Sequence, residues 1–355
     1  MECWYCVTNT YKIMLTGHRE GIFAEMSLSP KTAPQPEDAG EALPEVSVII
    51  VNWNTRDLLR GCLASVLAQT TARLEIIVID NASSDASCAM VQAEFPAVTL
   101  IANTVNRGFA AANNQGLAVA RGANVLLLNP DTIVLDGAID TVLGWLAARP
   151  DVGCVGCQVL EGPGVIQRTC FADPSATNQL IVELGLMRLA RWLPALGRPW
   201  YLDWDRRSER AVDVVSGMFM LVPRAVLDKV GPLDEAFFIY AEEADWCRRI
   251  RNAGYACVFA PVAQIIHLDG GGKSTAQVRP KMHVQMQKSH LIYLRKHGGW
   301  RAYAATKAVF VASALLRFGL FGALSVLRPH ADTTARRRLS AAVLRYHLAG
   351  QEPAS

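Results

Sequence analysis

Side chains able to do chemistry stand at the ends of apolar runs in this chain. Asp80 closes Leu74-Glu-Ile-Ile-Val-Ile79, and Asp131 follows Leu126-Leu-Leu-Asn-Pro130. Glu242, Glu243 and Asp245 follow Phe237-Phe-Ile-Tyr-Ala241, and His267 closes Ala263-Gln-Ile-Ile266. A carboxylate at the end of a buried segment needs hydrogen-bond donors or a cation to remain ionised. Asp80 can read the ring N–H of a uracil or thymine, or simply cap the next helix. Asp131 can hold a hard cation, Mg2+ or Mn2+, that bridges two phosphates, although Asn129-Pro130-Asp131 is also an ordinary turn sequence. The three acids open an amphipathic pattern, where the helix dipole favours them; one of them, tuned by burial and neighbours, can act as general base toward a hydroxyl. A single histidine at a strand end is more often structural than a ligand, so His267 takes its weight from the other groups.

The elements that must position these groups alternate regularly. Val46-Ser-Val-Ile-Ile-Val51 is a β-branched run that ends at Asn52-Trp-Asn54 and precedes a helical pattern through Leu58, Leu59, Cys62, Leu63, Val66 and Leu67. The unit recurs at 74–79 with a helix near Ala86 to Phe95, at 98–101 with a helix from Asn106 through Val119, and at 124–128. Buried parallel strands covered by helices are expected, with an aromatic-rich strand before Glu242 and a short strand ending at His267. The polar residues fall at the carboxyl ends of the strands, where an open α/β sheet keeps its ligand crevice. Neither a Gly-x-Gly-x-x-Gly fingerprint nor a Gly-x-x-x-x-Gly-Lys-Ser/Thr loop occurs, so phosphates must be held in another way.

In order along the chain, Val48-Ile-Ile-Val-Asn-Trp-Asn54, Asp80-Asn-Ala-Ser-Ser-Asp85, Asn106-Arg-Gly-Phe-Ala-Ala-Ala-Asn113-Asn114, Asn129-Pro-Asp131, Glu242-Glu243-Ala-Asp245 and His267 resemble the family 2 inverting glycosyltransferases, in particular their rhamnosyltransferase-like branch. The resemblance spans roughly Val46 to Lys296. It implies a GT-A fold: a Rossmann-like, mostly parallel sheet flanked by helices, with a helical basic C-terminal extension. It also implies that Asn52, Asn54, Asp80, Asn106, Gly108, Asn113, Asn129 and Asp131 face the nucleotide-sugar donor, that Asp131 and His267 hold Mg2+ or Mn2+, and that Gly217 and Met218 lie on the acceptor side. Glu243 would be the catalytic base, with Asp245 second and Glu242 beside them. Asn129 stands where the family's Asp-x-Asp motif often has its first carboxylate, which removes one acid from metal or ribose, and Glu243 stands where Asp is more usual. The implied reaction is a single in-line transfer of a sugar, rhamnose from dTDP-rhamnose first and a UDP-linked hexose second, to a membrane-associated or lipid-linked glycan in cell-envelope polysaccharide synthesis. Rival readings are an inactive sugar-nucleotide-binding homologue and a nucleotidyltransferase; the missing Gly-rich triphosphate loop speaks against the latter.

Composition divides the chain. Its 355 residues, 51% hydrophobic, suffice for a large core, and the net charge of +3 hides an asymmetry. From Gly270 onward there are 14 Lys or Arg against two acids, so the remainder is net acidic. Three regions follow: a Pro- and acid-rich disordered lead-in at 1–44, within which Met26 could be the start, a glycosyltransferase domain at 45–298 and a basic, partly apolar extension at 299–355. Val309 to Leu327 is apolar but centred on Arg317, as expected first of an interfacial helix near anionic lipid, second of a packed helix or dimer contact and last of a spanning one. A peripheral position on the cytoplasmic face of the inner membrane, no nucleic-acid partner and a possible homo-oligomer complete the expectation. The nine cysteines, odd in number and in apolar contexts, fit a reducing cytosol. A zinc site from Cys3, Cys6, Cys154 and Cys157 is disfavoured, because Cys154-Val-Gly-Cys157 reads as buried strand. Trp192, Trp200 and Trp204, in a stretch without a family counterpart, are assigned to core packing ahead of sugar stacking.

Overall fold

A computed structural model describes residues 43–162, 164–268, 279–327 and 330–350. The strands are β1 (Val46–Asn52), β2 (Leu74–Asp80), β3 (Thr99–Ala102), β4 (Asn124–Leu128), β5 (Thr132–Val134), β6 (Val152–Gly162), β7 (Val165–Ile166), β8 (Cys170–Phe171), β9 (Arg210–Ala211), β10 (Val214–Val215), β11 (Phe219–Pro223) and β12 (Ala256–His267). The helices are α1 (Arg56–Gln69), α2 (Ser87–Glu94), α3 (Phe109–Val119), α4 (Ala138–Ala147), α5 (Ala176–Glu183), α6 (Arg224–Val230), α7 (Glu242–Asn252), α8 (Arg279–Leu327) and α9 (Ala331–Ala349).

The main sheet runs β3-β2-β1-β4-β11-β6-β12-β5, with β7 on β6 and β9 on β12, and β8 pairs with β10 separately. The β3-β2-β1-β4 half is parallel, and β11 enters antiparallel between β4 and β6. Period-two alternation builds two cores. Ile49, Ile77, Ile79, Val125 and Leu127 face one layer, while Val48, Ile50, Val78, Leu126 and Leu128 face the other. Each of these side chains is essentially withdrawn from water, which stabilises the fold by about 1.5–3 kcal/mol apiece. The same alternation separates Cys154 from Cys157: they lie in opposite cores, so one metal ion cannot take both. Cys3 and Cys6, the lead-in before residue 43 and the Asp269 to Thr275 loop lie outside the described residues.

Two expectations are corrected. The aromatic run Phe237 to Tyr240 is not a strand; it turns, and Tyr240 and Ala241 both have positive φ, 70° and 66°. Its carbonyls are taken by other partners: Phe238 O accepts from Phe109 N at 2.6 Å and Ile239 O accepts from Ser289 Oγ at 2.8 Å. The strand ending at His267 is also far longer than Ala263 to His267, because it begins at Ala256 and pairs with β6, β5 and β9 in turn. At the C-terminus α8 is two helices joined at Gly299, whose φ of 71° and ψ of −170° interrupt it where the extension was expected to begin. Trp200 packs on Phe171 and Trp204 meets Phe259 edge-on, whereas Trp192 is 61% exposed.

Candidate active site

The residues expected on the donor side assemble where β1 and β2 end together. Asn52 and Asp80 are register partners, and Asn52 Nδ2 donates to Asp80 Oδ2 at 2.8 Å. Asp80 Oδ1 accepts from Ser83 N at 2.8 Å, so both oxygens of this buried carboxylate are satisfied, the turn-capping role weighed from sequence. Exposed Asn54, at φ 53°, accepts from Ser84 N at 2.8 Å and clips the two loops together. Sequence reasoning gave Asn81 no role of its own, yet it carries the next connection: its Nδ2 donates to Gly108 O at 3.0 Å and its Oδ1 accepts from Asn103. Asn106 Oδ1 then accepts from Gly108 N. Buried Asn113 bonds back to Phe109 O, and Asn114 spends both ends of its amide on Leu233.

Gly108 is required by its surroundings. Its φ is +83°, and a Cβ there would stand 2.3 Å from Phe238 O. The loop carrying the donor-side asparagines is thereby pressed against the loop leading into Glu242. Gly217 adjoins the same point, since a Cβ on it would meet the Phe109 ring at 3.2 Å, and Met218 O accepts from Asn129 N at 3.2 Å. The segments carrying Asn106 to Asn114, Gly217–Met218 and Glu242 therefore converge on the start of α3.

Asp131 and His267 meet because β5, the edge strand after Asp131, pairs antiparallel with the end of β12. In the antiparallel β5–β12 ladder His267 pairs with Thr132, and Leu268 N donates to Asp131 O at 2.9 Å. This register sets His267 Nε2 3.1 Å from Asp131 Oδ1. Two donors bound at right angles to one octahedral ion, each at ~2.1 Å, stand about 3.0 Å apart, so the pair already has the spacing of adjacent metal ligands. Glu161, overlooked in the sequence although it too ends a strand, follows Leu160, the register partner of Ile266. Partial burial pushes its carboxyl up, opposed by His267 and Arg168.

The three acids have different environments. Burial pushes the Glu243 carboxyl up to about 7. Glu242, 3% exposed, is raised further by burial, by the charge of Glu243 and by sharing a hydrogen bond with it. Tyr240 feels the same two charges, which together with burial raise its phenol to about 12. Glu242 Oε2 and Glu243 Oε2 are shielded from solvent without a hydrogen-bond partner among the described residues. Asp245 is the reverse case. Its carboxylate is fully buried yet accepts from Arg249 Nε at 2.9 Å and meets Lys296 Nζ and His297 Nε2, each at 2.7 Å. Burial opposes ionisation there, but the hydrogen bonds from Lys296, His297 and Arg249 outweigh it and hold the carboxyl below its usual range.

A further polar cluster was not visible from sequence. Glu183, at the end of α5, accepts from Ser313 Oγ at 2.9 Å and pairs with Arg317 Nη1 at 2.8 Å. The charge in the middle of the apolar segment thus turns inward onto the domain, while Leu315, Leu316 and Leu320 of the same helix stay 41–64% exposed.

Residues 47–169 match the family model "Glycosyl transferase family 2". The chain carries a family 2 glycosyltransferase domain in this segment, on a GT-A fold. It is 28% identical over 272 residues to the N-acetylglucosaminyl-diphospho-decaprenol L-rhamnosyltransferase of Mycobacterium tuberculosis, covering 71% of this chain and 85% of that one. It is 25% identical to the low-salt glycan biosynthesis hexosyltransferase Agl10 of Haloferax volcanii, covering 63% and 67%. Among solved structures, GalNAc-T7 with UDP, GalNAc and Mn2+ superposes with a TM-score of 0.54 at 14% identity, over 87% of this chain and 56% of that one, a likeness of fold.

Proposed function

We propose that this enzyme transfers rhamnose from dTDP-rhamnose to a hydroxyl of a lipid-linked glycan in cell-envelope polysaccharide synthesis, working at the membrane surface. The observation that carries the transfer site is the convergence at the start of α3: donor-side asparagines, the Asp131–His267 pair at 3.1 Å and the Glu242–Glu243 pair lie on loops tied to one another. The sugar and acceptor are supported by the mycobacterial rhamnosyltransferase, matched over most of both chains.

Asp131 and His267 would hold a divalent cation, whose bound charge neutralises the diphosphate leaving group. Asn52 and Asp80 present a rigid edge to the nucleobase, since their geometry is fixed by each other and by Ser83. Glu243, the more exposed member of the carboxyl pair, accepts the acceptor hydroxyl proton as the new bond forms; Glu242, whose carboxyl is pushed up by burial and by the Glu243 charge, shares a hydrogen bond with it and fixes its orientation. Asp245, the second choice for the base, instead anchors α7 through Arg249, Lys296 and His297. Leu184 and Trp192 are exposed as well, and Arg337 lies over Phe318 at 5.3 Å. Apolar side chains with arginines beside them suit an anionic membrane surface.

The test is Glu243→Gln, assayed with dTDP-rhamnose and UDP-hexoses on a polyprenyl-diphosphate-linked acceptor in the presence of Mn2+. Turnover is expected to fall by at least ~10²-fold with donor affinity unchanged. Wild-type kcat should rise with pH through the elevated range of Glu243, near 7, because the base must be ionised. Near-normal turnover of the variant would reject the assignment, and transfer of a UDP-hexose in preference would reject rhamnose.

A further inference from the structure

A second cluster, not used in sugar transfer, lies behind α7. Cys154, Cys247 and Cys257 are 0%, 0% and 1% exposed, they are free thiols, and their sulfur atoms all lie within 4.8 Å of one another. Cys154 and Cys257 are register partners in the parallel β6–β12 ladder, so their side chains stand side by side on one face of the sheet. Cys247 comes down on them from α7, one turn beyond Glu243. Its backbone carbonyl accepts from Cys257 Sγ at 3.6 Å, while its own thiol points to Val215 O at 3.9 Å. Three separate segments, β6, α7 and β12, thus meet at one triangle of sulfur.

Buried cysteines commonly serve as small apolar residues, but packing alone does not call for three sulfurs from three distant segments in mutual contact. Three thiolates bound to one ion at ~2.3 Å stand about 4.0 Å apart, within the spacing that the trio already has. The group contains no imidazole or carboxylate among the described residues, and burial keeps water out of a fourth position. Zn2+ prefers four ligands, whereas soft thiolates select Cu(I), for which a closed sulfur triangle is sufficient. We propose that Cys154, Cys247 and Cys257 form a binding site for one soft monovalent ion of the Cu(I) class, held by sulfur alone. As the ion enters, thiol protons leave to solvent and no electron is transferred. The Arg251 guanidinium, which acts electrostatically on Cys257, offsets part of the resulting negative charge. An ion at this point ties α7, and with it Glu242 and Glu243, to the β6 and β12 strands.

The full chain, purified without oxygen, is titrated with Cu(I) against a chromogenic Cu(I) chelator. One equivalent is expected to bind, with thiolate-to-copper absorption in the near ultraviolet, sulfur-only coordination by X-ray absorption and a higher unfolding temperature. Cys247→Ala and Cys257→Ala should each weaken binding at least tenfold, whereas Cys157→Ala, in the opposite core, should not change it. Circular dichroism of each copper-free variant checks that it is folded. If a variant does not fold, the wild-type protein decides the matter: bound copper must protect these three thiols from alkylation, as read by mass spectrometry of the labelled peptides. Binding unaltered in the folded variants, alkylation of the trio in the copper-loaded protein, oxygen or nitrogen ligands, or uptake only with loss of the folded signal would each overturn the proposal.

Discussion

Replacing Asp245 by Asn separates an anchoring carboxylate from a chemical one. The wild-type side chain is 0% exposed and meets two cations, Arg249 and Lys296, and the His297 imidazole at 2.7–2.9 Å. Removing one member of a fully buried ion pair costs about 3–5 kcal/mol, because the partner's charge is left uncompensated. The cost here is smaller. Arg249 still donates to Val230 O at 2.6 Å and Pro232 O at 2.7 Å, and Lys296, 36% exposed, retains Asp234 at 2.6 Å. Solvent screens that lysine, which leaves roughly 2–3 kcal/mol. At 2–4 °C per kcal/mol for a domain of this class, the unfolding midpoint should drop by about 4–12 °C. The pH dependence follows from the depressed carboxyl. Its stabilisation is complete above the ordinary Asp value and disappears as pH falls through the lower folded value, so the gap between wild type and variant should close in acid. Thermal unfolding followed by circular dichroism at neutral pH and in steps down to about pH 3 measures both. A variant that melts within ~1 °C of wild type while losing ~10²-fold in turnover would refute the anchoring argument and make Asp245 the base.

Gly108→Ala combines an unfavourable φ, worth ~1–2 kcal/mol, with a 2.3 Å approach to Phe238 O; kcat should fall more than stability, read from kinetics beside melting curves. Asp131→Asn and His267→Ala should each weaken Mn2+ binding at least ~10-fold, seen by paramagnetic titration, with the fold intact. Leu316→Glu together with Leu320→Glu, on the exposed face of α8, should reduce cosedimentation with anionic vesicles and leave solution activity on a soluble acceptor unchanged.

The sheet was legible because β1, β2 and β4 are largely β-branched or leucine runs, the first two ending on a polar residue and the third followed by one. That pattern has few readings other than a buried parallel strand with a ligand edge. Asp131 and His267 could be nominated by position, but their contact could not, since it depends on β5 pairing antiparallel with the far end of β12. The aromatic run before Glu242 has strand composition, and only the tertiary bonds to Phe109 and Ser289 turn it into a loop. Asp245 looked like its neighbours because an acid in a first helical turn is the same in sequence whether it faces a substrate or Arg249, Lys296 and His297. The partner of Arg317 was hidden for the same reason: Glu183 lies far away in the chain and carries no motif.

The bond from Phe109 N to Phe238 O makes the two halves of the site reciprocal. A donor that stiffens the Asn106–Phe109 loop also stiffens the loop leading to Glu242, and linkage requires an acceptor held by that second loop to tighten the donor by the same factor. One backbone hydrogen bond therefore gives the two substrates a thermodynamic interest in each other, and bisubstrate kinetics should show positive cooperativity between them.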